Sequence, residues 1–202
     1  MAGTIFLWCM WAVWIIATFL LPKQTQPRLF LAIFSLLLII FVPFTFSILF
    51  LKIQLTAVVL LLLAYLAISR FDIRKRLYNF ISICIVSLGY TGFLLFEIID
   101  PVWLMLDRRI LICAYMFLLI WLLENKDIFS QLSMMTAGMI HGEILFAMIL
   151  SKWGMPYLAG SPEFLDTLMI SSFPFLSFYF FRRLPRIILQ KITLNNMKGM
   201  RH

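Results

Sequence analysis

The chain is poor in charge. Only 13% of its 202 residues are Asp, Glu, Lys or Arg, against about 25% in a soluble domain. That shortage excludes an ordinary soluble enzyme and a disordered segment, both of which rely on polar groups to stay in water. Cysteine is scarce too. Cys9, Cys84 and Cys113 are far apart with no C-x-x-C spacing, which excludes a disulfide-rich secreted domain and a thiolate metal site; buried thiols of this kind act as small hydrophobes. Histidine occurs only at His141 and His202, so His-rich metal ligation and bis-histidine haem ligation by spans are closed to a single chain. Catalytic signatures are missing as well. The sequence has no G-x-S-x-G elbow, no H-E-x-x-H, no phosphate-binding Gly-Lys-Ser/Thr loop and no carboxyl-terminal prenylation box. No cofactor and no metal are implied.

What is abundant is apolar. Hydrophobic residues make up 63% of the chain and the mean hydropathy is +1.01, the profile of a polytopic membrane protein. A helix crossing about 30 Å of hydrocarbon needs about 20 apolar residues, and in lipid the backbone must satisfy its own hydrogen bonds. The fold class expected is all-α, a transmembrane helix bundle of about seven spans near 4–21, 29–46, 50–69, 78–97, 108–124, 128–151 and 167–181. The apolar run from Leu29 to Ser69 is too long for one span, and Pro43, Thr45 and Ser47 mark the turn that divides it. Arg70 to Arg76 is a second break. Val102–Leu106 is too short to span and reads as an interfacial turn with Trp103 at headgroup depth. The fifth span is short; six spans is the alternative if it stays at the surface. Residues 1–181 form one domain without internal repeat, and 182–202 form a basic tail.

The net charge of +8 acquires meaning once it is placed. Lys and Arg favour cytoplasmic loops. Seven spans put Lys23, Arg28, Arg70, Arg74, Lys75, Arg76, Lys126 and the six tail cations on one side, and leave Lys52, Arg108, Arg109 and Lys152 on the other. The first side is the cytoplasm, so the amino terminus is outside and the carboxyl terminus inside. No basic residue precedes the first span, unlike a cleaved signal peptide, and that span is expected to be retained. Its Trp8, Trp11 and Trp14 fall roughly along one flank, suited to lipid or interface contact. In the tail, Arg182, Arg183, Arg186 and Lys191 alternate with Ile187, Ile188, Ile192 and Leu194. A short amphipathic helix there could lie on anionic inner-leaflet lipids, at about 1 kcal/mol per basic group, or dock a membrane or cytosolic protein. No folded basic module speaks for nucleic acid.

Ionisable residues inside a span are costly and are functional candidates by default. His141 and Glu143 in the sixth span are the two well inside. They stand about 20 Å and 22 Å above the cytoplasmic end at 1.5 Å per residue and face nearly opposite sides. Tyr90, Glu97 and Asp100 on the fourth span, and Arg108 and Arg109 at the start of the fifth, reach the same outer level. The expectation is an outward-facing polar pocket in which Glu143 pairs with Arg108 or Arg109, offsetting an otherwise large desolvation cost. Gly138 and Gly142 form G-x-x-x-G, spacing that lets helix backbones approach, for packing within the bundle or on a homodimer face; Gly89 and Gly92 offer a matching thin surface. Pro174, with Ser171 and Ser172, can kink the last span.

Three stretches carry a family likeness: Gly3-Thr4-Ile5-Phe6-Leu7-Trp8, Phe96-Glu97-Ile98-Ile99-Asp100-Pro101-Val102-Trp103 and Gly142-Glu143-Ile144. With the length and span layout, they resemble the YphA-like family of small membrane proteins of Bacillus-type bacteria. The resemblance implies the cytoplasmic membrane of a Gram-positive cell and brings no activity or catalytic residue. Three functional readings follow: a non-enzymatic accessory or interaction protein, a small-solute or ion-coupled transporter using the pocket around His141 and Glu143, and a lipid-acting intramembrane enzyme. Oligomeric state is not legible.

Overall fold

The structure, a computed structural model, describes residues 2–22, 26–48, 51–100, 107–123 and 127–199, with side chains for all of these except 26, 27, 48 and 182–199. Helix α1 (Thr4–Ile15) runs into a π-helical turn (Ile16–Leu20), followed by α2 (Gln26–Phe41), strands β1 (Thr45–Ile48) and β2 (Leu51–Gln54), and helices α3 (Leu55–Ser69), α4 (Ile73–Ile99), α5 (Arg108–Leu122) and α6 (Ile128–Lys152). The two-residue strand β3 (Leu158–Ala159) precedes α7 (Pro162–Gly199). Three helical stretches, Ile73–Ile99, Ile128–Lys152 and Pro162–Phe181, are long and apolar enough to cross a membrane.

Several expected boundaries are corrected. The 29–69 run does not divide at a simple turn between spans at 29–46 and 50–69. Pro43 cannot donate to a continuing helix, so α2 stops at Phe41, and the chain forms an antiparallel hairpin pairing Thr45 with Gln54 and Ile48 with Leu51. Strand β2 also pairs in parallel with β3, Lys52 opposite Leu158. The fold is therefore not purely all-α: it is a helical bundle with a three-stranded sheet at one end. The Arg70–Arg76 break shrinks, because α4 starts at Ile73 and carries Arg74, Lys75 and Arg76 in its first turn. Helix α7 begins at Pro162 rather than 167. Proline fits the first helical position, where no N–H is needed, and Ser161 caps the helix by accepting from the Phe164 N–H at 3.3 Å. The backbone of α7 continues helically past Arg182 to Gly199 without a break at Pro174; the Ser172 hydroxyl donates to the Leu168 carbonyl one turn back. The interfacial turn at Val102–Leu106, and the side chains of Arg182, Arg183, Arg186 and Lys191, lie outside the described residues.

Helix α6 is the centre of the molecule. It packs most extensively on α4 and next on α3. Glycine spacing explains the closeness of the first pair. A Cβ on Gly138 would stand 2.5 Å from Val86 Cγ1, and one on Gly142 would stand 3.0 Å from the Ser87 carbonyl oxygen. Both glycines thus face α4 inside the chain. Gly89 does not complete this seam: its thin side faces Tyr115 and Leu119 of α5, while Gly92 faces open space.

The element ends sort into two groups. The hairpin end collects the start of α1, the β1–β2 hairpin, the carboxyl end of α4, the starts of α5 and α7 and the 153–161 loop, as cross-links such as Gly3–Asp166, Glu97–Arg108 and the β2–β3 pairing require. At the opposite end Arg28 donates to the Ala17 and Thr18 carbonyls that close the first helix, a cation where helix dipoles favour one. Lys75 and Asp127 form an exposed pair at 3.2 Å, and the Tyr78 hydroxyl donates to the Leu123 carbonyl.

Candidate functional site: a polar core at the hairpin end

Glu143 sits on α6 about four turns from its start, and it is 1% exposed. Its carboxylate does not pair with an arginine, which corrects the expected link to Arg108 or Arg109. Instead two phenols hold it. The Tyr90 hydroxyl from α4 donates to Oε1 at 2.8 Å, and the Tyr157 hydroxyl from the loop donates to Oε2 at 2.9 Å and Oε1 at 3.1 Å. The Gly160 N–H adds a longer bond to Oε2 at 3.4 Å. Gly160 adopts φ +76°, and a Cβ there would stand 2.4 Å from Ala57 Cβ, so only glycine lets the loop fold down onto α3 and aim that N–H inward. Burial above all, then the neighbouring carboxylate of Glu143 and its hydrogen bond, push the Tyr157 phenol up. Tyr157 therefore stays protonated and remains a donor. This carboxylate ties the loop to α6 and α4, beside the β2–β3 pairing that joins it to the hairpin.

A second buried carboxylate stands close by. Asp166, in the second turn of α7 and fully buried, accepts from the Gly3 N–H at 2.8 Å and the Phe6 N–H at 2.9 Å, with Arg109 at 3.7 Å. Gly3 is the N-cap of α1 and Phe6 its third residue. These are the two donors that a capping box satisfies from within one helix; here a different helix supplies the acceptor. Asp166 thus ties the start of α1 to the start of α7 and places negative charge at the positive end of the α1 dipole.

Between these groups lies a cavity of about 40 Å³ lined by Tyr90, Arg108, Arg109, Glu143, Tyr157 and Glu163 among others. That is room for about one or two water molecules. Of the residues expected to cluster, the structure brings Glu143, Tyr90, Arg108 and Arg109 to this cavity. Glu97 joins through Arg108, at 3.0 Å. Asp100 is exposed at the end of α4 and outside the lining. His141 is elsewhere: its Nε2 meets the Tyr65 hydroxyl of α3 at 3.1 Å and its Nδ1 lies 2.7 Å from the Ala137 carbonyl. A backbone carbonyl only accepts, so Nδ1 carries the hydrogen and Nε2 accepts from Tyr65. Sequence reasoning missed Tyr157, Gly160 and Asp166. The signal for Asp166 was present in Ser161-Pro162-Glu163, a helix start that moves Asp166 from the loop into α7.

None of the three cysteines lines this cavity, and among the described residues no group of three or more His, Cys, Asp and Glu side chains could hold a metal. The arrangement can hold a proton or a water.

Long apolar helices around a small, internally satisfied polar core define an integral membrane helical bundle. The chain belongs to the family of YphA-like integral membrane proteins, whose family model matches residues 2–202. No curated protein matches it, and no solved structure does.

Proposed function

We propose that this protein is a non-enzymatic, multi-pass protein of the bacterial cytoplasmic membrane that acts as an accessory or interaction partner, with its hairpin end outward and its carboxyl terminus in the cytoplasm. One observation carries the reading: both buried carboxylates of the polar core are occupied by donors of the chain itself, around a void of about 40 Å³. A transported solute or a substrate needs unfilled hydrogen-bonding capacity and space; ligand pockets usually measure about 300–1,000 Å³. Below Glu143 the Gly138–Val86 and Gly142–Tyr90 contacts close the α4–α6 seam. The cations of the other end, including exposed Arg70 and Arg74 and the tail residues Arg182, Arg183, Arg186 and Lys191, supply the surface for anionic inner-leaflet lipids and for a membrane or cytosolic partner.

The transporter reading rests on the two arginines that line the cavity beside Glu143. Purified protein in proteoliposomes loaded with a pH-sensitive dye separates the two. The accessory reading expects an imposed proton gradient to decay at the same rate with wild-type protein, with Glu143→Gln and without protein. A gradient collapse that requires Glu143 overturns it.

A further inference from the structure

A second depression in the molecule lies apart from the polar core, between α4 and α5. It measures about 550 Å³ and is lined by Gly92, Phe93, Phe96, Leu111, Ala114, Tyr115 and Leu118. The two helices touch sparsely, since α5 packs chiefly on α7 and α4 chiefly on α6, so a cleft opens sideways between them. We propose that this cleft is a binding site for one acyl chain of a phospholipid in the leaflet bordering the hairpin end.

Length selects that occupant. Helices α4 and α5 run in opposite directions, with Ile99 and Arg108 at the hairpin end. At 1.5 Å per residue, Phe96 and Leu111 lie about 4.5 Å below that end, Gly92 and Ala114 about 10 Å, and Leu118 about 15 Å. One leaflet of a bilayer with about 30 Å of hydrocarbon is about 15 Å deep. At the same depth the cleft ends, because Gly89 meets the Leu119 and Tyr115 side chains there. The stacked rings of Phe93 and Tyr115, 5.6 Å apart, form its back wall. A partner transmembrane helix would need a groove running the full span; this one covers half.

The top of the cleft carries charge. Glu97 is one turn outward of Phe93, Arg108 one turn outward of Leu111, and the two pair across the gap at 3.0 Å. The cleft is thus apolar along one leaflet and roofed by an ion pair at headgroup level, the layout of a phospholipid itself. Glycine use agrees. Gly89, Gly138 and Gly142 are each closed by a neighbour of the same chain, whereas a Cβ on Gly92 would meet nothing within 4 Å. Its bareness serves no internal contact and leaves room in the cleft. The inference does not depend on the accessory reading.

Native mass spectrometry of the full chain, extracted in mild detergent from vesicles of mixed phospholipids, tests it. One phospholipid per chain is expected to survive a detergent wash that strips the rest. Ala114→Phe, which fills the cleft, is expected to lower that retention at least five-fold, and Gly92→Leu to do the same. Leu62→Phe, on the exposed face of α3, is expected to leave it unchanged. Equal retention in wild type and both cleft variants overturns the proposal, and so does a wild-type chain that emerges without lipid. A wild-type dimer that Ala114→Phe dissociates overturns it in favour of a second copy as the occupant. Circular dichroism of each variant separates loss of lipid from loss of fold.

Discussion

Asp166 offers the sharpest perturbation. Replacing it by Ala removes the acceptor for two buried backbone N–H groups, those of Gly3 and Phe6 at 2.8 and 2.9 Å, and leaves Arg109 without its carboxylate neighbour. A hydrogen bond to a charged group contributes about 1.5–3 kcal/mol, and breaking a buried charged contact by deleting one partner costs about 3–5 kcal/mol. In a chain of this size 1 kcal/mol moves the melting midpoint by about 2–4 °C. Asp166→Ala is therefore expected to melt on the order of 10 °C below wild type in detergent. Asp166→Asn, which keeps one acceptor oxygen, should lose about half as much. The damage should also be local. With α1 untied, Cys9, now half-buried on that helix, should react faster with a maleimide in a Cys84→Ser, Cys113→Ser background. An Ala variant that melts within about 2 °C of wild type, with Cys9 labelled no faster, would refute the reasoning that Asp166 caps α1.

Two further outcomes follow from the same packing. Gly142→Leu would drive a side chain into Tyr90 and the Ser87 carbonyl and should cost at least about 1–3 kcal/mol through overpacking, whereas Gly92→Ala, in open space, should be neutral or stabilising by up to about 1 kcal/mol; denaturation midpoints of the two variants decide it. With the native cysteines replaced by serine, Ser47→Cys in the hairpin should react with a membrane-impermeant maleimide in intact cells, and Arg74→Cys only after permeabilisation; labelling of both from outside would contradict the proposed orientation.

Helix content was legible because long apolar runs leave a membrane chain few alternatives. Boundaries were less so, for local reasons. Pro43 was read as one turn between two spans, but Thr45-Phe-Ser-Ile and Leu51-Lys-Ile-Gln are short enough, and rich enough in β-branched and aromatic residues, to pair as strands. Pro162 was read as a loop residue, although proline after serine opens a helix as readily as it closes one. That error hid Asp166. The separation of His141 from Glu143 followed from the 200° between them on one helix, and they do meet different neighbours, Tyr65 on α3 and Tyr90 on α4. The partners of Glu143 could not be deduced. Charge complementarity favoured an arginine, yet Arg108 is taken by Glu97 and Arg109 stands against Asp166. Uncharged phenols, one from a loop whose fold-back depends on the left-handed turn at Gly160, supply the bonds instead.

The account turns on Glu143 being a latch that holds the 153–161 loop against α4 and α6. The thermal midpoint of purified Glu143→Gln tests this most directly. A latch held by two phenols and an amide should lose about 2 kcal/mol when one of its two acceptor oxygens becomes a donor facing a phenol, and the midpoint should fall by about 4–8 °C. Functional carboxylates are commonly kept at the expense of stability, so their neutralisation tends to stabilise. A Glu143→Gln protein that melts at or above the wild-type temperature would contradict the account.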